Sequence, residues 1–145
     1  MPLELLIFVG LQAAGKSTYY RNHLAATHVH VSKDLMTNVR DKDARQQKLI
    51  GGALRAGRSV AVDNTNPTPL SRAPLIALGH SLGAQVVGVF FETIVKDAVA
   101  RNRVREGKAR VPDVAIYVAA KKLVVPTLEE GFDEVRVIAP FTGTE

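Results

Sequence analysis

Apolar residues fall into short runs separated by polar stretches that carry glycine and proline. Leu3–Val9 is almost continuously apolar, which predicts a central strand buried on both faces. A helix is expected from Lys16 to about Ala26. Val29–Val31, between His28, His30 and Ser32, reads as a second short strand. Residues 33–42 are irregular or begin a helix. The spacing then predicts a helix from about Asp43 to Ala56, with Leu49, Ile50, Ala53 and Leu54 facing inward and Gly57 stopping it. Ser59–Val62 is a third strand. Residues 63–69 form a turn, with Thr68 as cap and Pro69 at the first position of a helix to about Leu82. Pro74 should kink that helix or shift its start. Gln85–Phe91 is a strongly β-forming fourth strand, with Phe90 and Phe91 in the core at its end. Ile94–Val104 is helical and is broken by Glu106-Gly107-Lys108. Pro112 restarts a helix through about Lys122, with Val114–Val118 as its buried face. Glu134–Ile138 is the fifth strand. Strands alternating with helices give an α/β fold with a parallel sheet.

One stretch interrupts this pattern with chemistry. Gly10-Leu11-Gln12-Ala13-Ala14-Gly15-Lys16-Ser17-Thr18 fits G-x-x-x-x-G-K-[ST], placed after an apolar strand and before a helix. Backbone N–H groups of Gln12, Ala13, Ala14, Gly15, Lys16, Ser17 and Thr18 converge there at the positive end of a helix. Lys16 can reach the β- and γ-phosphates of a nucleotide, and the Ser17 hydroxyl can ligate Mg²⁺. ATP or GTP binding follows as the first functional expectation.

The remaining candidates lie where parallel sheets place ligands, beyond the carboxyl ends of the strands. Asp34 follows the second strand and can take a proton from an acceptor hydroxyl, or cap the segment beginning at Leu35. Asp63 ends the third strand and can hold the water shell of Mg²⁺, or form an Asx turn with Asn64. Arg101, Arg105 and Arg110 bracket a glycine-containing stretch, as suits a mobile lid that neutralises a transferring phosphoryl group. The four histidines show neither ligand spacing nor a partner cluster and read as surface or strand residues. A GTPase switch is disfavoured, because N-K-x-D is missing and the third strand is not followed by D-x-x-G, Asn66 standing three residues after Asp63 in place of glycine.

The 145 residues suit one domain with its own core, spanning 1–145 with the lid at about 101–113. The chain has no cysteine, which excludes disulfides and thiolate metal sites. No basic start precedes the first apolar run and no run approaches ~18 residues, so neither a secretory signal nor a membrane span is expected. A cytoplasmic setting is compatible with all of this. The net charge of +5 equals the excess in residues 96–122, which hold eight basic and three acidic side chains. Such a concentration favours a polyphosphate or nucleic acid ligand, or is a solvated basic helix.

Three motifs together resemble the polynucleotide 5′-kinase family of P-loop phosphotransferases, which includes a bacteriophage polynucleotide kinase and bacterial end-repair kinase domains. They are Gly15-Lys16-Ser17-Thr18; Val31-Ser32-Lys33-Asp34; and Arg101-Asn102-Arg103-Val104-Arg105 followed by Ala109-Arg110-Val111-Pro112-Asp113-Val114. The resemblance implies a three-layer P-loop NTPase fold with a five-stranded parallel sheet, order 2-3-1-4-5, helices on both faces and an Arg-rich lid. It implies ATP and Mg²⁺ as cofactors, Lys16, Asp34 and Arg105 as catalytic residues, and Asp34 as the base for a 5′-hydroxyl. Arg105 and Arg101 would clamp ATP phosphates, while Ser17 and Asp63 would serve the metal. One position departs from the family: Thr37 stands where it places an arginine three residues after the base, which bears on acceptor recognition. Two other readings remain open. The acceptor is a small alcohol such as a sugar, nucleoside or antibiotic, or the chain is a nucleotide-binding module without turnover.

Overall fold

The computed structural model describes residues 2–140, without the side chain of Lys108. Five short runs make one parallel sheet and every other element serves to cross it: β1 (Glu4–Val9), β2 (His28–Val31), β3 (Ser59–Val62), β4 (Gln85–Phe91) and β5 (Glu134–Ile138), ordered β2-β3-β1-β4-β5. The helices are α1 (Lys16–His23), α2 (Lys42–Arg55), α3 (Pro69–Ser81), α4 (Val95–Arg103) and α5 (Asp113–Lys122).

The central strand explains why the sequence reads as it does. Leu5 and Ile7 point to one face with Val60, Val62 and Val86, against Ile50 and Leu54 of α2 and Leu75 and Ile76 of α3. Leu6 and Phe8 point to the other with Ala61, Val87 and Val89, against Tyr20 of α1. Both sets are buried, so the period-2 alternation of a one-sided strand vanishes from β1. Gly79 lets α3 lie close to the sheet: a Cβ there would stand 2.6 Å from Val86 Cγ2 and 2.9 Å from Leu5 Cδ2. A third cluster joins α4 and α5 (Ala98, Val99, Ile116) to Leu11 of the loop after β1.

Several boundaries differ from expectation. α1 stops at His23, not Ala26, because the Leu24 carbonyl takes the N–H groups of Thr27 and His28 and turns the chain into β2. Leu49 is exposed, and the inner face of α2 is Gln46, Ile50, Gly51 and Leu54. α3 starts at Pro69 under a Thr68–Ser71 capping box and continues through Pro74. The carbonyl that Pro74 leaves unpaired belongs to Leu70, at an exposed position where water can serve it. Val114–Val118 is not a buried face: only Ile116 is buried there, while Val114, Tyr117 and Val118 are exposed.

Candidate active site

The loop between β1 and α1 carries the site. Gly15 caps α1 at φ 93° and Ala13 sits at φ 62°, so two left-handed residues turn the backbone sharply into the helix. Ala13 is a non-glycine in this region and is held from outside: Arg101 Nε donates to its carbonyl at 2.7 Å and Arg101 Nη2 to Thr93 Oγ1 at 3.1 Å. Arg101 therefore braces the loop from α4. Ala14 is buried beneath it.

Lys16 is buried, and its Nζ donates to the Gly10 and Leu11 carbonyls at 2.7 and 2.8 Å. Burial pushes its ammonium down to about 8. Asp63 and Asp34 pull it up and Arg105 pushes it further down, so all three charges reach it. Ser17 Oγ donates to Asp63 Oδ2 at 2.7 Å. His30 Nε2 meets the same carboxylate oxygen at 2.8 Å, and the His30 ring stacks on Tyr20 with centroids 4.1 Å apart. An ionised carboxylate only accepts, so Nε2 carries the proton. Burial raises the Asp63 carboxyl. The bonds from His30 and Ser17, together with the Lys16 charge, outweigh that and hold it below its usual value. A hydroxyl and an ionised carboxylate side by side are hard oxygen donors of the kind Mg²⁺ takes.

A cleft of about 780 Å³ opens beside these groups. Gln12, Lys16, Ser17, Asp63 and Arg105 line it, and so do Asp34, Asp41 and Asp43. Asp34 sits in a 3-10 turn, Lys33–Leu35, whose cap is Ser32: the Ser32 hydroxyl accepts from the Asp34 N–H at 3.2 Å. The Asp34 carboxylate is thus not the cap and stands exposed on the cleft. Asp63 makes no Asx turn of the expected kind, since its side chain is engaged by Ser17 and His30. Arg105 Nη1 donates to the Ala109 carbonyl at 3.0 Å, within the segment joining α4 to α5. Thr18 stands outside the lining, with its hydroxyl accepting from Arg21 Nη2 at 3.2 Å. Arg103 forks onto Asp113 at 3.0 and 3.1 Å, closing that segment on itself. Arg110 is exposed.

Two histidines lie in β2, as the surface-or-strand reading expects, yet each has a partner that the spacing does not show. His28 is buried with Nε2 at 2.7 Å from Glu4, and His30 belongs to the Asp63 cluster. Nothing local in the sequence marks His30. It meets Asp63 only because β2 and β3 pair in parallel, with His30 opposite Ala61. Arg72 was equally silent. It is fully buried and joins the carbonyls of Asn66 (2.8 Å), Pro67 (3.0 Å) and Val124 to the Glu130 carboxylate (2.8 Å). It thereby fixes the wall after β3. Among the described residues, no helix is long and apolar enough to cross a membrane.

Comparison with known proteins agrees with the geometry. The AAA domain family model matches residues 5–123. A protein of Acanthamoeba polyphaga mimivirus that bears the name bifunctional polynucleotide phosphatase/kinase is 28% identical over 142 residues, covering 93% of this chain and 33% of that protein. The chain spans about a third of the length of the curated relatives it matches. Among solved structures, a fungal RNA kinase superposes with a TM-score of 0.73 at 13% identity, over 100% of this chain and 40% of that one. A sugar kinase from Janibacter sp. HTCC2649 superposes with a TM-score of 0.70 at 13% identity, over 95% and 86%. At these identities the two superpositions establish the fold, a P-loop kinase architecture.

Proposed function

The chain belongs to the AAA domain family, and from that premise we propose that it is an ATP-dependent kinase that moves the γ-phosphoryl group of ATP to a hydroxyl, foremost the 5′-OH end of a polynucleotide. The observation that carries this is the shared cleft: Asp34 stands exposed on it together with the buried Lys16 and the Ser17–Asp63 pair, in a volume of about 780 Å³. The loop amides and Lys16 hold the β- and γ-phosphates, for which Lys16 leaves the Gly10 and Leu11 carbonyls. Ser17 and Asp63 would hold Mg²⁺, which would supply charge neutralisation for the phosphates. Asp34 takes the hydroxyl proton as the oxygen attacks the γ-phosphorus, and the bond to the β,γ-bridging oxygen breaks with its electron pair leaving on ADP. Arg105 neutralises the transferring group from the lid, which spans about 101–113, and Arg101 keeps the loop in shape. The polynucleotide acceptor is supported by the named relatives and by the basic segment 96–122. The whole chain 1–145 acts as one kinase domain, and the cytoplasm, where ATP and Mg²⁺ are abundant, suits it.

A second reading keeps the chemistry and exchanges the acceptor for a small neutral alcohol. It is favoured by the cleft beyond Asp34, where Asp41 and Asp43 stand and where Lys33 is already paired with Asp43. A phosphate of the acceptor strand would meet carboxylates there.

Transfer of labelled γ-phosphate to a 5′-hydroxyl oligonucleotide, set beside a panel of sugars and nucleosides, tests both readings. Lys16→Ala and Asp34→Ala are each expected to abolish transfer, with Asp34→Ala still binding ATP. Near-normal turnover by Asp34→Ala would remove it from the role of base.

A further inference from the structure

The carboxylate read as the base lies on a three-residue turn with exposed neighbours at Leu35 and Thr37. Something must hold that turn, because a base displaced by about 1 Å can lose about a hundredfold in rate. β2 and β3 pair with Val31 opposite Val62, and the Asp63 N–H donates to the Val31 carbonyl at 2.8 Å. In a parallel ladder the next rung would run from the Lys33 N–H to the backbone carbonyl of Asp63. Instead the Lys33 N–H donates to the side chain of Asn64, reaching Oδ1 at 2.9 Å. The side-chain amide prolongs the ladder by one rung while the backbone of both strands is already turning away. Only the amide oxygen can face an N–H, so its Nδ2 points the other way, and it donates to Gln46 Oε1 at 2.6 Å. Gln46 lies on the inner face of α2 and is 5% exposed. A single planar group thus ties the turn of Asp34 to the end of β3 and to α2. The turn is closed locally by Ser32 Oγ and by the Leu35 and Met36 N–H groups on the Ser32 and Lys33 carbonyls, Lys33 Nζ adds an exposed bond to Asp43, and Asn64 supplies the bond from the end of β3.

We infer that Asn64, anchored by Gln46, is the positioning residue for Asp34, holding its turn at the distance and angle that proton abstraction from the acceptor requires. The inference rests on the reading of Asp34 as the base. It adds to that reading a residue that acts on Asp34 through the Lys33 N–H, although Asn64 and Gln46 also line the cleft.

The test is a double-mutant cycle between Asn64→Ala and Asp34→Glu, which keeps a carboxylate and hence measurable transfer, read as kcat and as KM for ATP, with melting curves fixing the assay temperature below every transition. The acceptor probe is a 5′-hydroxyl oligonucleotide or, if the unaltered chain does not phosphorylate it, the sugar or nucleoside that it does. Asn64→Ala is expected to lower kcat about tenfold to a hundredfold with KM for ATP within about twofold. On the Asp34→Glu background, where the longer side chain has already moved the carboxylate from the place that the turn sets, the same change is expected to cost markedly less. Gln46→Leu, which leaves the Lys33 bond in place, is expected to give a smaller loss of the same kind, and it carries the test if Asn64→Ala does not fold. An equal loss on both backgrounds, or a rise in KM for ATP that tracks the fall in kcat, overturns the inference and places Asn64 in the service of Asp63 or the phosphate loop. Full activity of Asp34→Ala alone is a different failure, that of the base assignment.

Discussion

Burial of the Lys16 ammonium gives folding and nucleotide binding opposite pH dependences. Unfolded, the group keeps its proton to its ordinary 10.5; folded, it begins to lose it near 8. Between those values the unfolded chain binds the extra proton, so stability rises with pH across the window, and below about 8 the full burial penalty applies. An anion needs the protonated form, so affinity falls over the same range. ATP-free melting between pH 7 and 10 should therefore rise for the unaltered chain relative to Lys16→Met, while ATP affinity by calorimetry declines only in the unaltered chain. A difference between the two proteins that stays flat with pH would show that the ammonium is not desolvated. Asp63 behaves in the usual carboxylate sense: held below its ordinary value, it contributes stability that is lost as pH falls through its folded value. Its substitution Asp63→Asn keeps the size and removes the charge. The Mg²⁺ concentration for half-maximal transfer is expected to rise at least about tenfold, measured by titrating Mg²⁺ at saturating ATP.

At the level of elements, the loops that shape the cleft are held by side chains from elsewhere in the chain. Arg72 reaches from α3 to two carbonyls of the loop after β3 and to Glu130, beyond α5. Arg72→Leu leaves the Glu130 carboxylate, about 10% exposed, without its partner and is expected to destabilise by about 3–5 kcal/mol. The double variant Arg72→Leu with Glu130→Gln should recover part of that in urea unfolding, because no uncompensated charge remains. No recovery would assign the loss to the abandoned carbonyls instead. The misreading of α5 has a related cause. Its valines were expected inside, yet α5 packs mainly on α4 and Leu11, a narrow contact that needs only Ile116 in full with Ala119 and Ala120 beside it.

For the molecule as a whole, charge is segregated along the chain and hence in space. The basic excess falls on α4, α5 and the segment between them, the same elements that brace the phosphate loop through Arg101 and Leu11. Arg103 is committed to Asp113 there, whereas Lys121 and Lys122 at the end of α5 are exposed. If this face carries a polynucleotide, Lys121→Glu with Lys122→Glu should weaken oligonucleotide binding and flatten its dependence on log salt by about one to two in slope, leaving transfer to a small alcohol unaltered. Unchanged salt dependence would favour the small acceptor.

The order of strands and helices, the phosphate loop and its lysine, and the acidic residues at the ends of β2 and β3 were all set by local pattern. Strand limits at Ser59–Val62, Gln85–Phe91 and Glu134–Ile138 are where the local pattern placed them: β3 and β4 are largely buried and so mostly apolar, the edge strand β5 is half-buried and mixes apolar with charged residues, and a phosphate loop must have glycine at its turns. The sequence left Asp34 and Asp63 each with two meanings. Tertiary structure gave the cap to Ser32 and brought Ser17 and His30 onto Asp63, and the base and metal roles are the proposal built on that geometry. His30, Asn64, Gln46 and Arg72 had no local signature at all. Their roles arise from partners about 6 to 58 positions away, and a hydrogen bond across that separation is specified by the packing of the sheet, which no stretch of neighbouring residues encodes.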